Sequence, residues 1–176
     1  EFTDDTALSA SIQMYGGLWC YEEGTLTNKY FTLAKSKPSP LSSNFTKDYF
    51  ASIINSLECE NLSIKALLAT EQRIPGLGNG VLQDILLNAK VHPKRKVKTL
   101  TDVEKVNIYD SIINTLNEMV LQGGRDTEYN LYGQKGNYKT RLSKLTVDKP
   151  CSVCGELIKK EAYLGGSIYY CPHCQK

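Results

Sequence analysis

The sequence predicts a mainly α-helical fold that ends in a small, metal-held β-hairpin. Three observations point there. Apolar residues recur at helical spacing from Phe45 to the Gly123-Gly124 pair. A glycine-rich turn, Pro75-Gly76-Leu77-Gly78, interrupts that pattern and leads straight back into it. Two Cys-x-x-Cys pairs, Cys151/Cys154 and Cys171/Cys174, close the chain. Short strand-like runs before residue 35 add a few β-strands, expected to be what is left of an N-terminal β-sandwich domain.

The 176 residues, 41% of them hydrophobic, suffice for one ordinary domain or two small ones. No run approaches the roughly 18 apolar residues of a membrane span, and Glu1-Phe2-Thr3-Asp4-Asp5 is no secretory signal. A cytoplasmic monomer is the expectation. The net charge of +2 is unevenly spread: residues 1–89 hold 6 Lys+Arg against 10 Asp+Glu, residues 90–176 hold 15 against 9. The C-terminal half is therefore the expected face for a polyanion, the alternative being ordinary solvated lysine.

Residues 1–35 carry three strand candidates: Ala7–Ile12, Leu18–Tyr21 and Lys29–Leu33, punctuated by Gly16-Gly17 and Glu23-Gly24. Three such strands make a marginal unit, so they are expected to be the C-terminal strands of an incomplete β domain, a complete small sheet packed on the helices being the alternative. Residues 36–44 have linker composition. A helix is expected from Phe45, with Tyr49, Phe50, Ile53, Ile54 and Leu57 on one face, and a short one near 62–70. Lys94-Arg95-Lys96-Val97-Lys98 is a basic loop, either solvated or lining a nucleic-acid backbone. Thr101-Asp-Val-Glu104 is a capping box opening the longest helix, 101–122. Its apolar stripe is Val106, Tyr109, Ile112, Ile113, Leu116, Met119 and Val120. Residues 123–150 form a long, polar, basic loop, a length associated with function or disorder.

The chain is organised around residues 73–93. After Asn79 the spacing of Val81, Leu82, Ile85, Leu86 and Ala89 is helical, so Asn79 is expected to be the N-cap of a helix over 79–90. A helix start with its unpaired N–H groups suits an anion. Gly76 and Gly78 lack a Cβ and would let another backbone come close. A tight turn between packed helices is the competing reading.

Ile74-Pro-Gly-Leu-Gly-Asn79, followed by Asp84 and Val91-His-Pro93, resembles the helix–two-turn–helix motif of the formamidopyrimidine-DNA glycosylase / endonuclease VIII family. The resemblance covers residues 45–176 and, more weakly, 1–35. It implies a helix–two-turn–helix domain over 45–149 and a zinc finger over 150–176. Asn79 matches the family asparagine that binds a phosphate beside the damaged nucleotide. Lys65 matches a lysine that also faces the DNA, and Asp84 an acidic residue supporting the hairpin. Gln13-Met14-Tyr15-Gly16 resembles the Gln-Leu-Tyr-Gly stretch of endonuclease VIII relatives, whose side chains fill the gap left by a flipped base. An aromatic and an unbranched apolar side chain can wedge a base step, and an amide can pair with the orphaned base. A strand–turn with Met14 and Tyr15 in a core is the alternative. Gly133–Tyr138 sits where the family has its lesion-recognition loop.

Cys151, Cys154, Cys171 and Cys174 have the spacing of a tetrahedral, structural Zn²⁺ site, one ion per chain, with redox-active cysteines as the alternative. Glu161–Leu164 and Ile168–Tyr170 around Gly165-Gly166 read as a β-hairpin. His173 is superfluous as a ligand and expected at the surface. In the family an arginine before the third cysteine enters the minor groove. Gly165-Gly166-Ser167-Ile168 stands there instead, leaving backbone N–H groups or Ser167 to meet a phosphate.

The family's nucleophile is an N-terminal proline followed by glutamate and assisted by a hairpin lysine. With Glu1-Phe2 at the start, none of the three can be placed, so this chain alone is expected to be inactive. The resemblance thus implies the DNA-binding part of a base-excision-repair DNA glycosylase/AP lyase acting on oxidised bases in double-stranded damaged DNA. Gln13-Met14-Tyr15 tilts it toward pyrimidine lesions. A non-catalytic nucleic-acid-binding module with the same motifs is the alternative, and a protein-binding zinc scaffold a third.

Overall fold

The computed structural model describes residues 3–7, 9 and 18–176. Its elements are α1 (Lys29–Lys35), α2 (Lys47–Ile54), α3 (Ile64–Ala69), α4 (Asn79–Asn88), α5 (Asp102–Leu121), β1 (Lys159–Tyr163) and β2 (Gly166–Tyr170), with a short 3₁₀ turn at Val97–Thr99. The mainly helical fold with a C-terminal hairpin is as expected.

The first 35 residues differ. Lys29–Leu33 is helix, not strand, because Asn28 Oδ1 accepts from the N–H groups of Tyr30 (2.9 Å) and Phe31 (3.2 Å). That cap outweighs the β-propensity of Tyr30-Phe31-Thr32. Leu18–Tyr21 forms no strand. Most of Ala7–Ile12, and all of Gln13-Met14-Tyr15, lie outside the described residues. Helix α1 buries none of its side chains.

The core forms where α2, α3, α4 and α5 meet, around Phe45, Phe50, Ile54, Ile64, Leu67, Leu82, Ile85, Ile108 and Ile112. Thr46 caps α2, which ends at Ile54; Leu57 lies beyond it and is exposed. Tyr109 stacks on Phe45 at 5.9 Å between centroids and donates its hydroxyl to the Phe45 carbonyl (3.0 Å).

Helix α5 opens with the expected capping box: Thr101 Oγ1 accepts from Glu104 N, and the Glu104 carboxylate accepts from Thr101 N. Its end is a Schellman closure, Gly124 N–H to Met119 O and Gly123 N–H to Val120 O, with both glycines at positive φ. Its buried stripe is rotated from the expected one. Ile108, Ser111, Ile112, Thr115 and Met119 face inward, while Val106 and Val120 are exposed. Small hydroxyl side chains let α4 come close: Ser111 donates to Ile85 O (2.6 Å) and Thr115 Oγ1 accepts from Asn88 Nδ2 (2.8 Å). An apolar count cannot see a face closed by hydroxyls.

The loop over 123–150 is pinned rather than structureless. Asp126 N donates to Tyr138 O and Tyr138 N to Gly124 O. The strands of this base come so close that a Cβ on Gly136 would lie 2.0 Å from the Gly124 carbonyl. Asp84, fully buried, holds the far side: its carboxylate accepts from the backbone N–H groups of Arg141 (3.0 Å) and Leu142 (2.8 Å). Burial pushes its pKa up, and those two N–H groups pull the other way. Asp84 therefore braces this loop, not the Gly-x-Gly turn that the resemblance implied.

Two of the four charges in the basic loop are paired with carboxylates. Arg95 pairs with Glu104 (3.1 Å), Lys94 with Glu161, and Lys96 and Lys98 reach the Asn61 carbonyl and side chain.

Candidate nucleic-acid interface

The turn before α4 is built by its sequence. Leu77 N donates to Ile74 O, Pro75 takes the second position and Gly76 the third at φ +78°, the arrangement of a type II turn. Buried Ile74 and Leu77 anchor it in the core. Among the described residues nothing comes within 4 Å of a Cβ built on Gly76 or Gly78.

Asn79 is not the N-cap. Gly78 is, and it offers no side chain, so no side-chain acceptor caps the first turn of α4. Asn79 is the first helical residue and turns sideways. Its Nδ2 donates to the Ser167 carbonyl of β2 at 3.0 Å. The α4 start thus keeps its N–H groups for an outside acceptor.

Lys65, on α3, is 3% exposed. Its Nζ donates to the Tyr163 carbonyl at 2.6 Å. Burial pushes its pKa down. The ammonium also lies 5.7 Å from the Tyr163 ring centre, with Lys94 5.4 Å from the same ring. An ammonium has three N–H bonds, so two remain beyond the bond to Tyr163.

The hairpin tip completes the arrangement. Strands β1 and β2 pair antiparallel from Lys159↔Tyr170 to Tyr163↔Gly166. Leu164 (φ +50°) and Gly165 (φ +69°) make the two-residue turn, whose positive φ values suit the twist of a hairpin. A Cβ on Gly166 would lie 3.7 Å from Asn79 Nδ2 and 3.8 Å from Lys65 Nζ. An amide N–H₂ and an ammonium therefore converge beside a residue with no side chain, donors that an anionic oxygen can use. Of the expected site residues, Lys65 and Asn79 come together here, with the Gly76/Gly78 turn leading into Asn79.

Sequence reasoning missed Gln83, which is 1% exposed. Its Nε2 donates to Asn79 Oδ1 (3.1 Å), Asn79 O (3.1 Å) and Ser167 O (3.3 Å), and its Oε1 accepts from Tyr169 N (3.1 Å). The available signal was its place one helical turn after Asn79, on the same face. Gly80 was also missed. Arg125 from the long loop packs where its side chain would go, since a Cβ there would lie 2.5 Å from Arg125 Nη2.

The four expected metal ligands form one cluster. The sulfurs of Cys151, Cys154, Cys171 and Cys174 all lie within 4.8 Å of one another, with Cys154 and Cys171 at 3.4 Å. Tetrahedral Zn–S bonds of about 2.3 Å place sulfurs about 3.8 Å apart, so the cluster fits a four-thiolate zinc ion, while 3.4 Å is far beyond a disulfide. Four protein ligands leave no open position for chemistry at the metal. Leu87, Leu142 and Ile158 pack around Cys151 and Cys171 and join the knuckles to α4. Gln175 accepts from Cys171 N and donates to Val91 O (3.0 Å). His92 stacks edge-on against Tyr170 at 4.4 Å. His173 is exposed, as expected.

Two packed helices joined through a glycine-rich turn, with a four-cysteine hairpin folded over that turn, define the helix–two-turn–helix class with a zinc finger. Residues 37–130 match the formamidopyrimidine-DNA glycosylase H2TH domain. A formamidopyrimidine-DNA glycosylase of Prochlorococcus marinus is 33% identical over 94% of this chain and 57% of its own length. That of Bacillus anthracis is 31% identical over 99% of this chain and 63% of its own. The MutM (Fpg) protein of Thermus thermophilus superposes with a TM-score of 0.70 at 26% identity, over 78% of this chain and 53% of that one. Lactococcus lactis Fpg in complex with DNA containing an abasic site gives 0.71 at 27%, over 84% and 53%. This chain belongs to the formamidopyrimidine-DNA glycosylase family. It spans about three-fifths of the length of these curated relatives.

Proposed function

We propose that this chain is the DNA-binding part of a base-excision-repair DNA glycosylase/AP lyase, acting inside the cell on oxidised bases in double-stranded DNA. The carrying observation is the convergence of Lys65 Nζ, Asn79 Nδ2 and the Gly166 backbone beside the uncapped start of α4. This reading places a DNA phosphate there, next to the damaged nucleotide. Residues 45–149 act as the helix–two-turn–helix unit and 150–176 as its zinc finger, with Cys151, Cys154, Cys171 and Cys174 holding one structural Zn²⁺. The assignment is supported by the family and by the DNA complexes of its structural neighbours. The pyrimidine tilt rests on Gln13-Met14-Tyr15 alone, so the proposal is made for oxidised bases in general.

The role of the described residues is grip. Lys65 and Lys94, the amines nearest the interface, are held by the Tyr163 carbonyl and the Glu161 carboxylate. Neither is poised to attack a sugar, so the covalent step is assigned outside the described residues and the chain alone is read as inactive.

The test is binding of the zinc-loaded chain to duplex DNA carrying one abasic site, at rising salt. Phosphate contacts release counterions, so log K should fall linearly with log salt, by about 0.9 per phosphate contacted. With three or more contacts, affinity should fall on the order of tenfold or more between 50 and 200 mM salt. Borohydride should trap no adduct. Salt-independent binding would reject the phosphate interface, and a robust adduct would reject the division of labour.

A further inference from the structure

An asparagine amide can face a phosphate either way round, and only its Nδ2 can donate to one. The orientation of Asn79 is dictated by a relay that starts at two backbone groups of unambiguous polarity. Tyr169 N–H can only donate, and it meets Gln83 at 3.1 Å, so the atom there is Oε1. That fixes the Gln83 amide with Nε2 toward Asn79, where it meets Oδ1 at 3.1 Å. The Ser167 carbonyl can only accept, and it takes Nδ2 of Asn79 at 3.0 Å. Turning the Asn79 amide over would set its N–H₂ against the N–H₂ of Gln83 and its oxygen against Ser167 O. Both Tyr169 and Ser167 belong to β2, so the finger hairpin reaches Asn79 through Gln83.

We propose that Gln83 is the positioning residue of this interface: it locks the Asn79 amide with Nδ2 toward the phosphate and makes that orientation depend on docking of the zinc hairpin. The proposal rests on the phosphate reading above. It goes beyond a structural clip. A side chain that only held β2 on α4 would need its oxygen for Tyr169 but no donor toward Asn79 Oδ1.

Gln83→Glu separates the two functions. The new carboxylate still accepts from Tyr169 N, so the shorter bond of the clip survives while the longer one to Ser167 O (3.3 Å) is lost. Its second oxygen replaces the donor that faced Asn79 Oδ1, and the Asn79 amide turns over to present N–H₂ inward and its oxygen to the DNA. The experiment is a double-mutant cycle on zinc-loaded protein with an abasic duplex, using Asn79→Ala, Gln83→Glu and the double variant. Zinc content and thermal stability are measured alongside.

Asn79→Ala should weaken binding about tenfold, as loss of a hydrogen bond to a charged group does. Gln83→Glu should weaken it at least as much in the wild-type background and less than about threefold in the Asn79→Ala background, the non-additivity expected of coupled residues. Equal losses in both backgrounds would show a plain charge effect and overturn the proposal. An unchanged affinity in Asn79→Ala would overturn the phosphate reading itself, and the proposal with it. If Gln83→Glu loses zinc or fails to fold, Gln83→Met in the same cycle replaces it. Methionine cannot donate to Asn79 Oδ1 and leaves Ser167 O as the amide's remaining guide, so a loss of about twofold that vanishes in the Asn79→Ala background is expected. A loss of the same size in both backgrounds overturns the assignment.

Discussion

Asn79→Asp should leave the protein folded and remove nearly all of its DNA affinity. Asn79 is the first residue of α4, where a carboxylate interacts favourably with the helix start by about 0.3–1 kcal/mol. The variant loses the bond to Ser167 O, worth about 0.5–1.5 kcal/mol. The two roughly cancel, so the melting temperature should hardly move. At the interface the effects add. A negative charge about 4 Å from a phosphate costs several kcal/mol at an effective dielectric near 20. The carboxylate would also draw off the Lys65 ammonium, which shares the Gly166 pocket. A loss of a hundredfold or more in affinity is expected. Thermal melts beside binding curves check it. A stable variant that binds like wild type would return the turn to a purely structural role.

Removing zinc should have the second largest effect, and an uneven one. The thiolate cluster holds both ends of the hairpin, and Cys171 has no exposed surface. Without the ion the four cysteine sulfurs lose the bonds that join them, and the small core of Leu87, Leu142 and Ile158 has nothing to close it. Metal binding in fingers of this size contributes on the order of 10 kcal/mol to their folding, more than that core can replace. The α2–α5 core around Phe45, Leu82 and Ile112 is separate from it. Chelation should therefore keep most of the helical circular dichroism. It should free the hairpin and lower DNA affinity at least tenfold, because Gly166 and the Tyr163 and Ser167 carbonyls leave the interface. Purified reduced protein should hold one zinc per chain. Absence of zinc, or a chelated protein that binds DNA unchanged, would contradict the assignment.

Features governed by local chemistry were legible in the sequence. The Thr101 capping box, the Gly123-Gly124 closure, the hairpin and the cysteine set each depend on residues close together in the chain. What the sequence concealed was settled by partners far away. Asn79 looked like a cap, yet the residue that draws its side chain, Ser167, is 88 positions on. Asp84 looked like support for the turn beside it, but its partners are Arg141 and Leu142. The lysines and arginine at 94–98 read equally as a solvated or a DNA-lining loop, and the residues that hold them, Glu104, Glu161 and Asn61, lie outside the run. Lys29–Leu33 is the reverse case: its cap, Asn28, is adjacent in the chain, and the β-propensity of Tyr30-Phe31-Thr32 masks it.

In the proposed interface one phosphate sits between Lys65, Asn79 and Gly166. Methylphosphonate scanning tests it most directly, neutralising one phosphate at a time around an abasic site while affinity is measured for wild type and Lys65→Gln. If the claim holds, wild type loses about tenfold at one position, and Lys65→Gln shows no such loss there while keeping its sensitivity elsewhere. If Lys65→Gln gives the same scan as wild type, merely weakened throughout, the ammonium has no phosphate of its own and the interface lies elsewhere.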